Sequence, residues 1–248
     1  MKFVRNSSTD PCYNMSFDEY CLEQVSSDDT FFCLWRDRAS VIIGLNQNAA
    51  AEVNLSYLKA KGIVLARRAT GGGAVYHDLQ NLNYSIFRPL SSSSSENGAD
   101  AVGVIVSALR EFGVPAEQSG RNDIFVEGRK VSGFARRVFK DRELVHGTLM
   151  YDVDIETLTN VLDVDGSKLH RKGVASVRSR VANLKDYLPQ FDSLDSFQAA
   201  LQEYLQAGDS EILLSEEQKN AVQALSDSKY STPYWILNRV QDDGSDAL

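Results

Sequence analysis

The stretch "DIFVEGRKVSGFA" at residues 123–135 restricts the fold more than any other part of the sequence. Two apolar segments flank Glu127 and Gly128, and a turn of this composition is typical of a β-hairpin. Other short segments rich in aromatic and β-branched residues are also predicted to be strands. They are FFCLW (31–35), SVIIG (40–44), GIVLA (62–66), LNYSIF (82–87) and ELVHGTLMYDVD (143–154). Because strands come in hairpin-like runs instead of alternating strictly with helices, we predict an α+β fold with mixed, largely antiparallel sheets, not a Rossmann fold.

Helices are predicted to flank these strands. Apolar side chains recur at helical spacing in residues 13–25 and 102–112, and Gly113 with Pro115 ends the second pattern. In the strand at 82–87, apolar residues alternate with polar ones, which predicts one buried and one exposed face.

The predicted domain extends over residues 1–240. After residue 189 the sequence becomes helical, and Ser215 and Gln218 have the spacing of a capping box. We therefore expect residues 190–240 to form the helical end of the domain and residues 241–248 a disordered tail. The polar stretch "SSSSSENGAD" at 91–100 is predicted to be a flexible break.

Composition indicates a globular chain. Its 248 residues are 43% hydrophobic, enough for one large domain with a core, and no run of about 18 apolar residues could span a bilayer. The start of the chain does not resemble a signal peptide. Cys12, Cys21 and Cys33 have neither metal-ligand spacing nor the even number of a disulfide framework. We therefore expect a reducing, cytoplasmic location and no membrane partner.

Charge argues against one class of function. The formal net charge of -8 is unlike that of a general nucleic-acid binder. Residues 168–180 nevertheless hold five Lys or Arg and no acidic residue. This stretch is either a local anion site or a solvated basic loop.

The segment "RRATGGGAVYHD" at 67–78 is the main candidate binding loop. Three consecutive glycines allow a ligand to approach the backbone, whose N–H groups can hold a carboxylate or a phosphate, and Arg68 can add a charged contact. The loop is not a P-loop, because no GK[ST] follows, and the strand-like "AVYHD" after it excludes a dinucleotide-binding GxGxxG. A flexible turn is the alternative. His77 is either an acid–base group or, more in keeping with a strand end, a structural hydrogen-bonding residue.

The chain from residue 10 to about residue 190 resembles the lipoate-protein ligase A family. Six segments occur in the order and approximate spacing of that family: DPCYNMSFDEY, VIIGLNQNAAAEVN, RRATGGGAVYHD, SGRNDIFVEGRKVSG, HGTLMYDVD and KGVASVRSRVANL. The resemblance implies a catalytic domain related to biotin protein ligases. It also implies activation of lipoate by ATP and Mg²⁺, followed by transfer of the lipoyl group to one lysine of an apo lipoyl domain of a 2-oxoacid dehydrogenase or of a glycine-cleavage H protein.

The resemblance also implies residue roles. Arg68 and residues 71–76 are expected to hold the nucleotide phosphates and to line an acyl tunnel. Lys130 matches the essential lysine of the family, which bridges the α-phosphate and the acyl carbonyl oxygen. Residues 172–184 resemble a loop that closes over the adenylate. Asp123 is expected to support a metal ion, with a strand-edge cap as the alternative. The full set of expected nucleotide- and lipoyl-adenylate-binding residues is Arg68, Gly71, Gly72, Gly73, Ala74, Val75, Tyr76, His77, Asn122, Asp123, Lys130, Ser132, Gly133, His146, Gly147, Lys172 and Arg178.

Three alternatives stay open. Ligases of this family usually carry a further C-terminal accessory domain, which we expect to be absent here, so the chain is either self-sufficient or a transferase that needs a separate accessory protein for activation. An octanoyl or lipoyl transferase without ATP would need an activated cysteine near the lysine, and the sequence offers none. A non-catalytic lipoate-binding module would have no need of Arg68, Lys130 and the basic loop.

Overall fold

The structure, a computed structural model, describes residues 1–25, 29–91, 98–119, 122–162 and 180–237. Its strands are β1 (Lys2–Val4), β2 (Phe31–Trp35), β3 (Ser40–Ile43), β4 (Val64–Arg67), β5 (Val75–His77), β6 (Asn81–Pro89), β7 (Ala116–Ser119), β8 (Asp123–Val126), β9 (Arg129–Phe139), β10 (Arg142–Met150) and β11 (Glu211–Ile212). Its helices are α1 (Pro11–Gln24), α2 (Ala49–Glu52), α3 (Leu55–Lys61), α4 (Ala99–Glu111), α5 (Ile155–Val161), α6 (Leu194–Gln206), α7 (Glu216–Leu225) and α8 (Pro233–Leu237). Within these ranges no helix combines the length and the hydropathy that crossing a bilayer requires.

The larger of two sheets has eight strands in the order β11-β1-β2-β6-β10-β9-β8-β7. Strand β1 runs parallel to β2 and β11, and every other pair in this sheet is antiparallel. The central pair, β6 and β10, is in register from Asn81 opposite Met150 to Pro89 opposite Arg142. The smaller sheet has the order β4-β3-β5. The predicted α+β class with mixed, largely antiparallel sheets is therefore confirmed.

Helix α1 connects the two sheets. Its N-terminus is capped by Asp10, whose side chain accepts hydrogen bonds from the backbone N–H groups of Cys12 and Tyr13. The helix contacts β6 and β10 of the large sheet and β4 of the small one. It therefore buries polar as well as apolar residues, among them Asn14 and Asp18.

Local sequence signals predicted several elements correctly. The helices expected at 13–25 and 102–112 are α1 and α4, and the predicted hairpin consists of β8 and β9. Glu127 and Gly128 both have positive φ (49° and 75°), as a tight hairpin turn requires. The predicted capping box of Ser215 and Gln218 is also present.

One prediction was wrong and one was incomplete. The strand at 82–87 does not have an exposed face, because α1 covers the side that carries Asn83 and Ser85 while α4 packs on the other. The helical end at 190–240 contains a two-residue strand, β11, which completes the edge of the large sheet beside β1. Residues 92–97 of the expected flexible break and the expected tail at 241–248 lie outside the described residues.

Candidate functional site

A cavity with about 620 Å³ of empty space, including its open mouth, is bordered by residues of both sheets and of α1. The lining residues are Met15, Trp35, Ile42, Arg68, Gly72, Gly73, Ala74, Val75, His77, Asn83, Asn122, Lys130, Gly133, Phe134, Ala135, His146, Gly147 and Thr148.

The glycine loop forms one wall and is held from behind by Arg68. The Arg68 guanidinium donates hydrogen bonds to the carbonyl oxygens of Ile42 (3.1 Å), Gly71 (2.7 Å) and Gly73 (2.8 Å). Gly72 has a φ of 96°, which explains the need for glycine at that position. Burial lowers the pKa of Arg68 to about 10, so the side chain is still protonated at neutral pH. Arg68 therefore shapes the loop and places a positive charge beside the cavity.

Arg67, which sequence reasoning did not select, supports the same wall through the neighbouring turn at 44–47. Its guanidinium is completely buried and donates to carbonyl oxygens of residues 44–47 at 2.8–2.9 Å and to those of Trp235 (2.9 Å) and Ile236 (2.8 Å). The turn at 44–47 lies against the glycine loop, because a Cβ on Gly44 would approach the Gly72 carbonyl oxygen to 2.2 Å. Among the described residues neither Arg67 nor Arg68 has a carboxylate partner, so both charges raise the positive potential behind the loop.

Lys130 lies on β9 at the edge of the cavity. Its Nζ is 2.7 Å from Oδ1 of Asp123 on the neighbouring strand β8. A Cβ on Gly133 would be 3.0 Å from this Nζ, so the glycine leaves room for the lysine side chain. The Lys130 backbone N–H donates to Arg180 O (2.8 Å), and Ala182 N–H donates to Lys130 O (3.0 Å). Residues 180–182, which belong to the last part of the predicted loop at 172–184, are thus paired with the strand of the candidate catalytic lysine.

His146 is held by a buried network. Its Nδ1 lies 2.8 Å from Oδ2 of Asp18, and its Nε2 lies 2.8 Å from the hydroxyl oxygen of Thr70. The other Asp18 oxygen accepts a hydrogen bond from Ser85 (2.7 Å). With both ring nitrogens occupied, the orientation of the His146 ring at the cavity wall is fixed.

His77 has one nitrogen occupied and one without a partner. Its Nδ1 lies 2.8 Å from Oδ2 of Asp37, whose other oxygen accepts from Asn14 at 2.7 Å. Burial raises the pKa of Asp37, while the hydrogen bond from His77 opposes that change. The Nε2 atom of His77 has no partner among the described residues.

The structure brings most of the predicted residues together. Those in the cavity wall are Arg68, Gly72, Gly73, Ala74, Val75, His77, Asn122, Lys130, Gly133, His146 and Gly147. Gly71 contributes a carbonyl to Arg68, and Asp123 touches Lys130. Lys172, Arg178 and most of the predicted loop at 172–184 lie outside the described residues.

Two of the predicted residues, Tyr76 and Ser132, lie outside the cavity wall. Tyr76 alternates with Val75 and His77 along β5, so its ring points away from the cavity and packs with Met150 in the core beside the small sheet. Ser132 is completely buried next to Tyr84 and does not line the cavity.

Sequence reasoning missed other lining residues. They are Met15, Trp35, Ile42, Asn83, Phe134, Ala135 and Thr148. For Asn83, the available sequence signal was a polar residue inside an apolar strand. Asp18, which holds His146, was also missed, and its signal was an acidic residue on a helix that is buried on most sides.

No dedicated metal cluster is visible in the described part of the chain: no three His, Cys, Asp or Glu side chains converge there. Mg²⁺ that arrives with a nucleotide needs only one or two protein carboxylates. Asp123 is the carboxylate beside the cavity lysine, so it fits that requirement.

The three cysteines of the chain are all free and buried. Burial raises the pKa of Cys12 and raises those of Cys21 and Cys33 well above the ordinary value for a thiol. None of them lines the cavity. The arrangement does not support a cysteine nucleophile.

Comparison with known proteins gives consistent matches. The model of the lipoyl protein ligase A/B catalytic domain matches residues 10–206. Lipoate–protein ligase 1 of Staphylococcus aureus is 38% identical over 243 residues, which cover 96% of this chain and 74% of that protein. A lipoate-protein ligase of Bacillus subtilis is 36% identical over 245 residues, with the same two coverages.

Solved structures show the same fold. A bi-partite lipoate protein ligase of Thermoplasma acidophilum matches with a TM-score of 0.86 and 31% identity, and the match covers 98% of each chain. A protein of the same organism with bound lipoic acid matches with a TM-score of 0.81 and 29% identity, covering 95% of this chain and 98% of that one. An ATP-bound lipoate-protein ligase A gives a TM-score of 0.81 and 30% identity with the same coverages.

Proposed function

We propose that this chain, which belongs to the lipoyl protein ligase A/B catalytic domain family, joins lipoate to a lysine of an acceptor protein at the expense of ATP. In the first step a lipoate carboxylate oxygen attacks the α-phosphate, so that lipoyl-adenylate forms and pyrophosphate leaves. In the second step the amine of the acceptor lysine attacks the acyl carbonyl carbon, an amide forms and AMP leaves. Relatives whose names are lipoate-protein ligases, and related structures that hold lipoic acid or ATP, support both substrates.

One observation carries the proposal: the cavity joins an apolar part to a cationic part. Met15, Trp35 and Val75 offer apolar surface to an acyl chain, whereas Lys130 and the glycine loop border the same space. The buried charges of Arg67 and Arg68 lie behind that loop. A carboxylate and a triphosphate repel each other, and fixed positive charge in a partly enclosed site reduces that repulsion without reorganisation.

Lys130 is the proposed catalytic residue. Its ammonium group is tethered by Asp123 at the cavity edge and can donate to an α-phosphate oxygen or to an acyl carbonyl oxygen. It would stabilise the charge that develops in both steps. When bound, Mg²⁺ would neutralise phosphate charge, and Asp123 is the residue that would hold it.

The proposed acceptors are apo lipoyl domains of 2-oxoacid dehydrogenases or a glycine-cleavage H protein, in the cytoplasm. The Thermoplasma acidophilum relative is described as a bi-partite lipoate protein ligase that has an E2 lipoyl domain as its counterpart, which favours the first class. The same relative makes a separate accessory protein the main alternative for the activation step. The three free cysteines fit a reducing compartment.

Two parallel reactions test the proposal. The purified protein is incubated with an apo lipoyl domain and either lipoate with MgATP or synthetic lipoyl-adenylate. Acceptor mass is measured in both reactions, and pyrophosphate release is measured in the reaction with MgATP. Product in both reactions identifies a self-sufficient ligase, and product from the adenylate alone assigns activation to a partner. Product in neither reaction contradicts the proposal.

Lys130→Met supplies the mechanistic control. We expect it to lower the rate of acyl transfer at least about a hundredfold, because a donor aimed at a developing oxyanion is lost. Lys140→Met removes a lysine at the turn between β9 and β10, outside the cavity wall, and is expected to leave the rate unchanged. Equal rates for both variants would remove Lys130 from the mechanism.

A further inference from the structure

The cavity contains two buried polar atoms that the proposed chemistry does not use. They are Nε2 of His77 and Nδ2 of Asn83, and neither has a hydrogen-bond partner among the described residues. Both side chains line the cavity, although they are only 3% and 1% exposed. Buried polar atoms without partners cost free energy, so their presence in a binding cavity indicates that a ligand or a water satisfies them.

Both residues are neighbours of Trp35. Trp35 is opposite Asn83 in the register of β2 and β6, and its ring centroid is 6.1 Å from that of His77. The indole N–H donates to Ser85 at 2.9 Å, so Trp35 offers its apolar ring rather than its N–H group. This part of the cavity, formed by Trp35, His77 and Asn83, is called the polar end below.

The remaining polar groups of the polar end are already occupied. Asn83 Oδ1 accepts from Asn81 Nδ2 at 2.8 Å, and with the two amides in this orientation the N–H donors of Asn83 are free. His77 faces Asp37 through Nδ1, so in the tautomer that donates to this carboxylate Nε2 is an acceptor. The polar end therefore offers the free N–H donors of Asn83 and one free acceptor, His77 Nε2.

We propose that Asn83 is a specificity-determining residue, whose amide N–H donates to a ring sulfur of the lipoyl group. This inference rests on the proposed function, since it identifies which acid the acyl part of the cavity prefers. A sulfur accepts a hydrogen bond weakly, whereas the hydrocarbon end of an octanoyl chain accepts none. A bound alkyl end leaves both Asn83 Nδ2 and His77 Nε2 without a partner. A bound dithiolane pairs with Asn83, so that only the lone pair of His77 Nε2 has to be satisfied by water. A site built around a hydrogen bond discriminates against the analogue that lacks it.

The test compares three acids that differ only at the far end: lipoate, octanoate and the carbocyclic analogue in which a cyclopentyl ring replaces the dithiolane. Each is supplied as its acyl-adenylate, so that activation is not required, and kcat/KM for transfer to an apo lipoyl domain is measured. We expect the wild type to prefer lipoyl over cyclopentyl by about threefold to tenfold. In Asn83→Leu, which removes the donor at similar volume, that ratio should fall to about one.

Controls separate specificity from folding. Asn160→Leu makes the same replacement on α5, outside the cavity wall, and should keep the wild-type ratio. If Asn83→Leu does not fold, Asn83→Ser retains a smaller donor and should give an intermediate ratio. Calorimetric binding of the three free acids to the wild type tests the preference without any substitution.

The outcomes also distinguish the inference from the proposed function. Equal use of the lipoyl and cyclopentyl substrates by the wild type, or an unchanged ratio in a folded Asn83→Leu protein, overturns the role of Asn83 while leaving the ligase proposal intact. Failure of the wild type to transfer any of the three acyl groups overturns the proposed function itself.

Discussion

Gly147 shows how a single missing side chain creates the site. It lies on β10 opposite Tyr84 of β6 and lines the cavity. A Cβ at this position would be 2.4 Å from the Tyr84 hydroxyl oxygen and 2.8 Å from the Gly133 carbonyl oxygen. Tyr84 is fully buried, so its ring has no space to move into. Glycine is therefore required here by close packing and not by backbone conformation.

We expect Gly147→Ala to lower the free energy of unfolding by about 1–3 kcal/mol and to reduce acyl transfer, because Tyr84 or β9 must shift. Urea denaturation and the transfer assay measure the two effects. Gly103→Ala is the matched control: it lies inside α4, where a Cβ meets no atom within 4 Å, and it should stabilise the protein by about 0.5–1 kcal/mol. A Gly147→Ala protein as stable as the wild type would contradict this interpretation.

The contacts of Arg67 join two elements that are distant in sequence. The C-terminal helix α8 presents the carbonyl oxygens of Trp235 and Ile236 to one side of the guanidinium, and the turn at 44–47 presents its own to the other. That turn is also hydrogen-bonded to the residue directly before the three glycines, from Leu45 N–H to Thr70 O at 2.9 Å. The position of α8 is thereby linked to the wall of the cavity.

Arg67→Met should lower the free energy of unfolding by about 3 kcal/mol, since several buried carbonyl groups lose their donor at once. If activation occurs, KM for ATP should rise as the glycine loop loosens. Arg67→Lys should recover little of this stability, because one ammonium group cannot reach both the carbonyl groups of the turn at 44–47 and those of α8. Arg5→Met, which breaks an exposed ion pair with Glu211, should cost at most about 1 kcal/mol. Urea denaturation of the three variants measures these changes in the free energy of unfolding. An equal loss of stability in Arg67→Met and Arg5→Met would contradict the linking role of Arg67.

Elements with local signals were predictable from the sequence, and contacts across the chain were not. The β8–β9 hairpin and the Ser215 cap depend on neighbouring residues, so composition and spacing were enough to identify them. The partners of Arg67 and His146 are as far as 169 and 128 residues away. The exposed face predicted for β6 failed for the same reason, because α1 covers it.

The candidate site shows the same division. Family resemblance located the glycine loop and Lys130, which the structure places in one cavity wall. It did not indicate that Tyr76 faces away, which depends on the alternation of β5, or that Asn83 has a free donor, which depends on its contact with Asn81. The direction of a side chain is fixed by packing between elements, so it could not be predicted from a single sequence.

At the scale of the whole molecule, the cavity lies where residues of two separate sheets meet. Ile42 and Val75 come from the small sheet, and Asn83, Lys130 and Gly147 come from the large one. A ligand that contacts residues of both sheets therefore adds contacts between the sheets, beyond those that they already make through α1 and the core. Ligand binding should stabilise the arrangement of the sheets and not only the loop.

We expect a non-hydrolysable lipoyl-adenylate analogue at a hundred times its Kd to stabilise the folded protein by about 2.7 kcal/mol. Hydrogen exchange should slow in β5 and in β9, which belong to different sheets. Thermal unfolding against ligand concentration and exchange by mass spectrometry measure the two effects. Slower exchange confined to the glycine loop would contradict the prediction that the ligand bridges the two sheets. Lys140→Met is the control and should respond to the ligand as the wild type does.

The burial of all three cysteines has a redox consequence. The proposed substrate carries a strained cyclic disulfide, and a thiolate that met it would open the ring and form a mixed disulfide with the enzyme. Here each thiol is buried, has a raised pKa and lies outside the cavity wall. The protein can therefore hold a reactive disulfide without being covalently trapped by its own substrate.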